Sequence, residues 1–244
     1  MKRTPRKSIL CLDITPDKST QDGLVEYPGT RWSVSGGRKS CNDIHDSRYR
    51  ISLIKMKNEK YSLFSKIEIL RRFFHAGCFL ESMEKVVDFP TIHLEYGDIQ
   101  HTHQHNYTDD NSFQATSANF LEVSLCKSAD NERERKCFLI LGFKTPAEEE
   151  GSIEHFLSNW KELTGLGNFL LFLSPKYFVR RVIFMKNMTN VGRDDNMFQF
   201  FLILEVFHKK EDIIYLLDYV QRIRSWRNVG FISLYGEIPA SLQD

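Results

Sequence analysis

Long apolar runs are missing from this 244-residue chain: none approaches the roughly 20 residues that cross a bilayer, and the N-terminus lacks the apolar stretch of a signal peptide. The expectation is a nuclear protein, with the cytoplasm as the alternative and no membrane partner. Net charge is nearly absent too. Thirty-three Lys and Arg against 32 Asp and Glu leave +1, which argues against a general polyanion binder but allows a local basic patch. Cysteine is sparse: Cys11, Cys41, Cys78, Cys126 and Cys137 are odd in number and contain no Cys-x-x-Cys pair. Neither a disulfide framework nor a zinc knuckle is therefore expected, and Cys78, Cys126 and Cys137, in apolar segments, read as small buried residues. No GxSxG, HExxH, P-loop or GxGxxG motif occurs, so the reading is non-enzymatic, with no catalytic residue and no cofactor assigned.

Aromatic residues are what the chain has in quantity, 19 Phe, 9 Tyr and 3 Trp, which predicts a bulky interior. The clearest pattern lies in residues 137–236. Residues 137–143 form a tight apolar run suited to a strand covered on both faces. Thr145, Pro146 and Glu148 then have the shape of a capping box, and Ile153, Phe156, Leu157, Trp160 and Leu163 follow at helical spacing. Residues 168–172 are a short apolar run stopped at Ser174-Pro175, residues 177–185 read as a strand, and residues 186–195 as a polar turn. Residues 197–207 alternate: Phe198, Phe200, Leu202, Leu204 and Val206 on one face, Gln199, Phe201, Ile203 and Glu205 on the other. A helix over 210–226 and a strand over 229–235 complete the order β-α-β-β-α-β. That order predicts an α+β fold, a ferredoxin-like (split βαβ) sandwich with two helices on one face of the sheet. Counting 168–173 as a strand and pairing 121–125 with 137–143 gives an order that resembles the longin type of trafficking module, which would imply a cytoplasmic adaptor.

Upstream, residues 1–46 read as a flexible basic arm opening on Lys2, Arg3, Arg6 and Lys7. Its Thr4-Pro5-Arg6-Lys7 and Thr15-Pro16-Asp17-Lys18 segments resemble cyclin-dependent kinase substrate sites, so Thr4 and Thr15 are phosphorylation candidates. Residues 47–96 offer a smaller strand-helix-strand layer: a strand over 49–57, a helix over 61–81, and an edge strand over 89–96 because Pro90 has no N–H for a ladder. Residues 97–118, polar and nearly free of aliphatic side chains, read as a loop or linker, and residues 119–244 as the C-terminal α/β domain.

His101, His103 and His105 would fall on one side of an extended chain, as metal ligands do, yet no carboxylate to orient their rings can be assigned beyond Asp98, Asp109 and Asp110; an exposed polar loop is the preferred reading, and no metal site is assigned. The mixed face of Gln199, Phe201, Ile203 and Glu205 is the expected partner-binding surface. Arg180 and Arg181, which a regular strand points to opposite faces, are added to it. The order is similar to that of the RNA recognition motif in topology only, because the Lys/Arg-Gly-aromatic-Gly pattern is missing. The functional expectation is a protein-interaction subunit or adaptor of a nuclear, chromosome-associated complex, with other protein subunits as partners. The alternative is single-stranded RNA or DNA binding through the same sheet, with Phe201 stacking and Arg180 or Arg181 on phosphate.

Overall fold

Every strand pairing among the described residues is antiparallel, and the line of neighbours returns to its start. The computed structural model of the chain describes residues 24–27, 30–34, 48–57, 61–97, 105–109, 112–127, 135–145, 151–174, 177–188, 197–208, 212–226 and 230–238. The elements in order are β1 (Leu24–Tyr27), β2 (Thr30–Val34), β3 (Arg48–Met56), α1 (Leu63–Arg71), β4 (Cys78–Ser82), β5 (Thr91–Gly97), β6 (His105–Asp109) and β7 (Phe113–Lys127). They continue with β8 (Arg135–Phe143), α2 (Ser152–Leu163), α3 (Leu166–Phe172), β9 (Phe178–Asn187), β10 (Phe200–His208), α4 (Ile213–Trp226) and β11 (Phe231–Glu237). The ring runs β7-β3-β5-β4-β11-β8-β10-β9, and β9 pairs back to β7, which closes an eight-stranded barrel. Strands β1, β2 and β6 extend the sheet from β7 outside that ring.

Closure overturns the ferredoxin-like sandwich. A sandwich leaves one sheet face open behind its helices, whereas here that face is the barrel lining. Strands β8, β9, β10 and β11 curve round to meet β4 at one seam and β7 at the other. Eight strands enclose just enough room for side chains to fill. Tyr49, Ile51, Leu80, Ile92, Phe120, Phe138, Ile140, Ile183, Met185, Phe201, Ile203 and Tyr235 fill it. The outer face of the second half carries Leu139, Leu141, Phe184, Phe200, Leu202 and Leu204 under α2, α3 and α4. The outer face of the first half packs Ile54, Phe79, Phe113 and Ala115 against Ile67 and Leu70 of α1.

Several local expectations also change. The predicted helix over 61–81 ends at Arg71: Ser62 caps its start by accepting from the Ser65 N–H at 3.2 Å, and Gly77, at φ 91°, turns the chain into β4. The spacing of Phe73, Phe74 and Cys78 suited a helical stripe, but Phe79 and Leu80 separate to opposite faces of a strand. Strand β5 is internal, between β3 and β4, with Pro90 just outside it, where the missing N–H costs no ladder bond. The predicted loop over 97–118 contains β6 and the start of β7, and β7 runs without a break through the expected boundary at 119. The run at 168–172 is helical: α3 restarts after Gly165 (φ 69°), burying Leu166 and Phe169 at a spacing of three. The capping box at 145–148 does not start α2, whose N-cap is Gly151; Pro146 and Glu148 lie outside the described residues.

Candidate functional site

The barrel lining changes character along its length. At one end Phe198 packs on Phe201 with ring centroids 5.4 Å apart, Phe231 lies 5.5 Å from Phe89, and the Tyr235 hydroxyl donates to the Phe89 carbonyl at 2.6 Å. This end is closed by aromatic rings. At the other, where β8 begins and β10 and β11 finish, alternation brings polar residues to the same strand faces that carry the apolar lining. They are Tyr49, Cys78, Glu122, Lys136, Arg181, Glu205 and Glu237. Charge inside a barrel is costly unless it is paired, and at this end each charged side chain faces an opposite charge or a phenol.

Glu205 is the centre of this group. Its carboxylate is buried and lies 3.4 Å from Arg180 Nη1 and 3.7 Å from Arg181 Nε. Two neighbours on one strand should point apart, but the register between β10 and β9 slips between Glu205 and Val206, so Arg180 is the extra residue of a β-bulge. The bulge lets both guanidiniums reach one carboxylate. Arg180 also lies 5.8 Å over the Phe207 ring. Arg181 Nε is buried and, beyond its ion pair with Glu205, donates no hydrogen bond.

Around this centre, Tyr49 donates to Glu122 at 3.3 Å, and Lys136 forms an ion pair with Glu237. Burial raises the Tyr49 hydroxyl above the ordinary phenol range, the Glu122 carboxylate raises it further, and Arg181 opposes the shift. Burial likewise pushes the Cys78 thiol up to about 11, with Glu237 adding to the effect and Lys136 opposing it. At neutral pH both groups are therefore protonated donors, and Cys78 is not an activated nucleophile. Tyr96, with its ring 5.0 Å from that of Tyr49, is 65 % exposed and forms an aromatic lip beside the polar end.

Of the residues predicted from sequence, Arg180, Arg181 and Glu205 meet here. Phe201 and Ile203 lie deeper on the same face, fully enclosed, so the expected external surface of Gln199, Phe201, Ile203 and Glu205 does not exist. Gln199 sits at the opposite end, where its Oε1 accepts from the Thr145 N–H at 2.6 Å and hydroxyl at 2.7 Å. Phe201, packed edge-on against Phe120 at 5.1 Å, has no free face on which a base could stack. Thr4, Thr15, His101 and His103 lie outside the described residues, and His105 is described only as the first residue of β6. Among the described residues, no group of three His, Cys, Asp or Glu side chains is placed to hold a metal ion. No helix among them is long and apolar enough to cross a membrane. Sequence reasoning missed Tyr49, Cys78, Glu122, Lys136 and Glu237. The available signal was a polar residue standing on the apolar side of an alternating strand, as Glu122 does two positions after Phe120.

The family model described as a domain of unknown function, DUF7153, matches residues 74–237. The chain belongs to that family. The matched stretch of the DUF7153 domain holds Cys78, Glu122, Lys136, Arg180, Arg181, Glu205 and Glu237, while β3 with Tyr49 lies before it. One stave of the barrel is thus supplied from outside the matched stretch. No curated protein and no solved structure matches the chain.

Proposed function

We propose that this DUF7153 chain is a binding barrel whose polar end takes a small aromatic carboxylate. The observation that carries the reading is the buried Arg181 Nε, a donor without a hydrogen-bond acceptor beside a carboxylate already shared by two guanidiniums. Unsatisfied buried donors are rare, and a carboxylate is the partner that guanidinium geometry matches best. The Tyr49 phenol and Cys78 thiol add neutral donors, and the exposed Tyr96 ring offers a stacking surface for the aromatic body. Every carboxylate described in this end already faces a cation or a phenol, which favours binding over general-base chemistry.

Titration of the full chain with benzoate and 2-naphthoate, followed by amide NMR, tests this. Shifts should concentrate at residues 49, 78, 96, 180 and 181, and Arg181→Gln should weaken binding by tenfold or more without loss of fold. Shifts elsewhere, or affinity unchanged in Arg181→Gln, would sink the reading.

A second reading keeps the protein-interaction adaptor of a nuclear complex. The support is on the helices: Leu171 and Phe172 of α3 and Ile214 and Tyr215 of α4 are 53 to 71 % exposed, large apolar side chains of the kind that docking surfaces present. Co-purification from nuclear and cytoplasmic extract, with and without nuclease, compares wild type with Phe172→Ser and Ile214→Ser. A protein set that survives nuclease and disappears with either variant supports docking, whereas a set indifferent to both rejects it.

A further inference from the structure

Outside the barrel, between the sheet and its helices, lies a cavity of about 170 Å3. Leu141 of β8 and Leu202 of β10 form its floor, Phe169 of α3 and Ile223 of α4 its walls, and the largely exposed Phe172 its lip. Its lining contains no charged side chain. One buried polar group in that lining is left over, beside the exposed Asn168: Thr164, at the C-cap of α2, is 97 % buried by its 3 % exposure, yet its Oγ1 has no hydrogen-bond partner. The neighbouring Tyr219 hydroxyl, by contrast, donates to the Phe169 carbonyl at 3.3 Å.

We infer that this cavity is a binding site for a compact neutral molecule of one-ring size that carries a single hydroxyl, which pairs with Thr164 Oγ1. Volume sets the size, since an apolar cavity of about 150 Å3 accepts benzene. Electrostatics set the charge: an ion would enter without a countercharge, at a cost no hydrogen bond from one threonine offsets. The leftover hydroxyl sets the functional group, because a buried donor-acceptor without a partner is what an incoming hydroxyl satisfies. The site lies on the outer face of β8 and β10 and shares no residue with the polar end of the barrel. It therefore stands or falls independently of carboxylate binding there.

The test uses the full chain with phenol, benzene and benzoate as probes, read by methyl NMR at Thr164, Leu141 and Leu202. Phenol should bind about fivefold to tenfold more tightly than benzene, the difference one hydrogen bond makes, and benzoate should leave these methyls unmoved. Thr164→Val should abolish the preference for phenol while retaining benzene, and should itself raise the melting temperature by removing an unsatisfied hydroxyl. Leu202→Trp, which fills the cavity, should eliminate both. If that substitution prevents folding, Leu141→Phe serves the same purpose. Phenol affinity unaffected by Thr164→Val, or methyl shifts confined to the barrel end, would overturn the assignment. So would a lower melting temperature in Thr164→Val with no phenol binding in the wild type, the signature of a hydroxyl already satisfied by water.

Discussion

The guanidinium of Arg224 lies 2.8 Å from the carboxylate of Glu84, fastening the last turns of α4 to the bend after β4. Glu84 is nearly enclosed and also accepts from the Ser233 hydroxyl at 2.7 Å, the Leu234 N–H at 3.2 Å and Gln221 Nε2 at 2.8 Å. Burial works against its charged form, but the bonds from Arg224, Ser233 and Leu234 outweigh it and hold the carboxyl below its usual range. One side chain thereby joins the barrel seam between β4 and β11 to the helical layer. Glu84→Ala should cost about 3 kcal/mol, because the groups it satisfied are left without an acceptor. Urea unfolding measures this, and the Glu84→Ala, Arg224→Ala double variant should lose clearly less than the sum of the singles.

Two glycines, one within β8 and one in the bend just before β11, should respond differently to alanine. Gly230 has φ 72°, and a Cβ there would stand 2.0 Å from the Gly142 carbonyl oxygen, a backbone atom. Gly230→Ala should cost about 3 kcal/mol or more and resist rescue. At Gly142 the obstacle is the Phe198 ring, 2.7 Å away. Gly142→Ala should cost about 1–3 kcal/mol and be partly restored by Phe198→Leu, which a paired denaturation series would show.

His93 lies between Phe74 and Phe79, at 4.8 and 4.9 Å, with Nε2 bonded to the Ala76 carbonyl. Burial lowers its pKa from 6.5 to about 4, the Ala76 bond opposes the shift, and Arg50 adds to it. The unfolded chain therefore binds the extra proton between those two values. Stability should be full above pH 6.5 and fall by about 3 kcal/mol as the pH drops towards 4. His93→Phe should flatten that interval, leaving the lower-pH loss expected from Glu84. Urea midpoints at pH 7.5, 5 and 4 for both proteins decide it.

Phe201→Ala should destabilise the barrel by about 3–5 kcal/mol, as large truncations in packed interiors do. Any interaction lost in this variant should track its unfolding and return at a temperature where the variant is folded. Calorimetry beside a binding assay separates the two effects.

Several strand positions were legible, β10 because its period of two survives in the sequence and β3, β9 and β11 as short apolar runs: all lie close to where the sequence puts them. What alternation does not report is who covers the second face. All nine residues of β10 are buried, yet Glu205 gave its inner face a mixed look, and a mixed face reads as solvated. Its cover comes from β3 and β7, far away in the chain. The short apolar run of α3 had no periodicity long enough to separate helix from strand. The polar sequence of β7 hid a strand because its polar groups find partners across the sheet: Ser117 donates to Ser52 of β3 at 2.7 Å in a fully buried contact. At the candidate site, Arg180 and Arg181 were singled out but assigned to opposite faces, since a bulge leaves no mark in residue pattern alone.

The closed ring also bears on how the chain is made. Strands β3, β4, β5 and β7 precede β8 in sequence, and β8 to β11 follow, so each half is a four-stranded half-pipe with an apolar trough and two raw edges. During synthesis the first half-pipe emerges with that trough open and must wait for the second to roof it. Separately produced halves should consequently be insoluble alone and recoverable together, each serving as the other's lid.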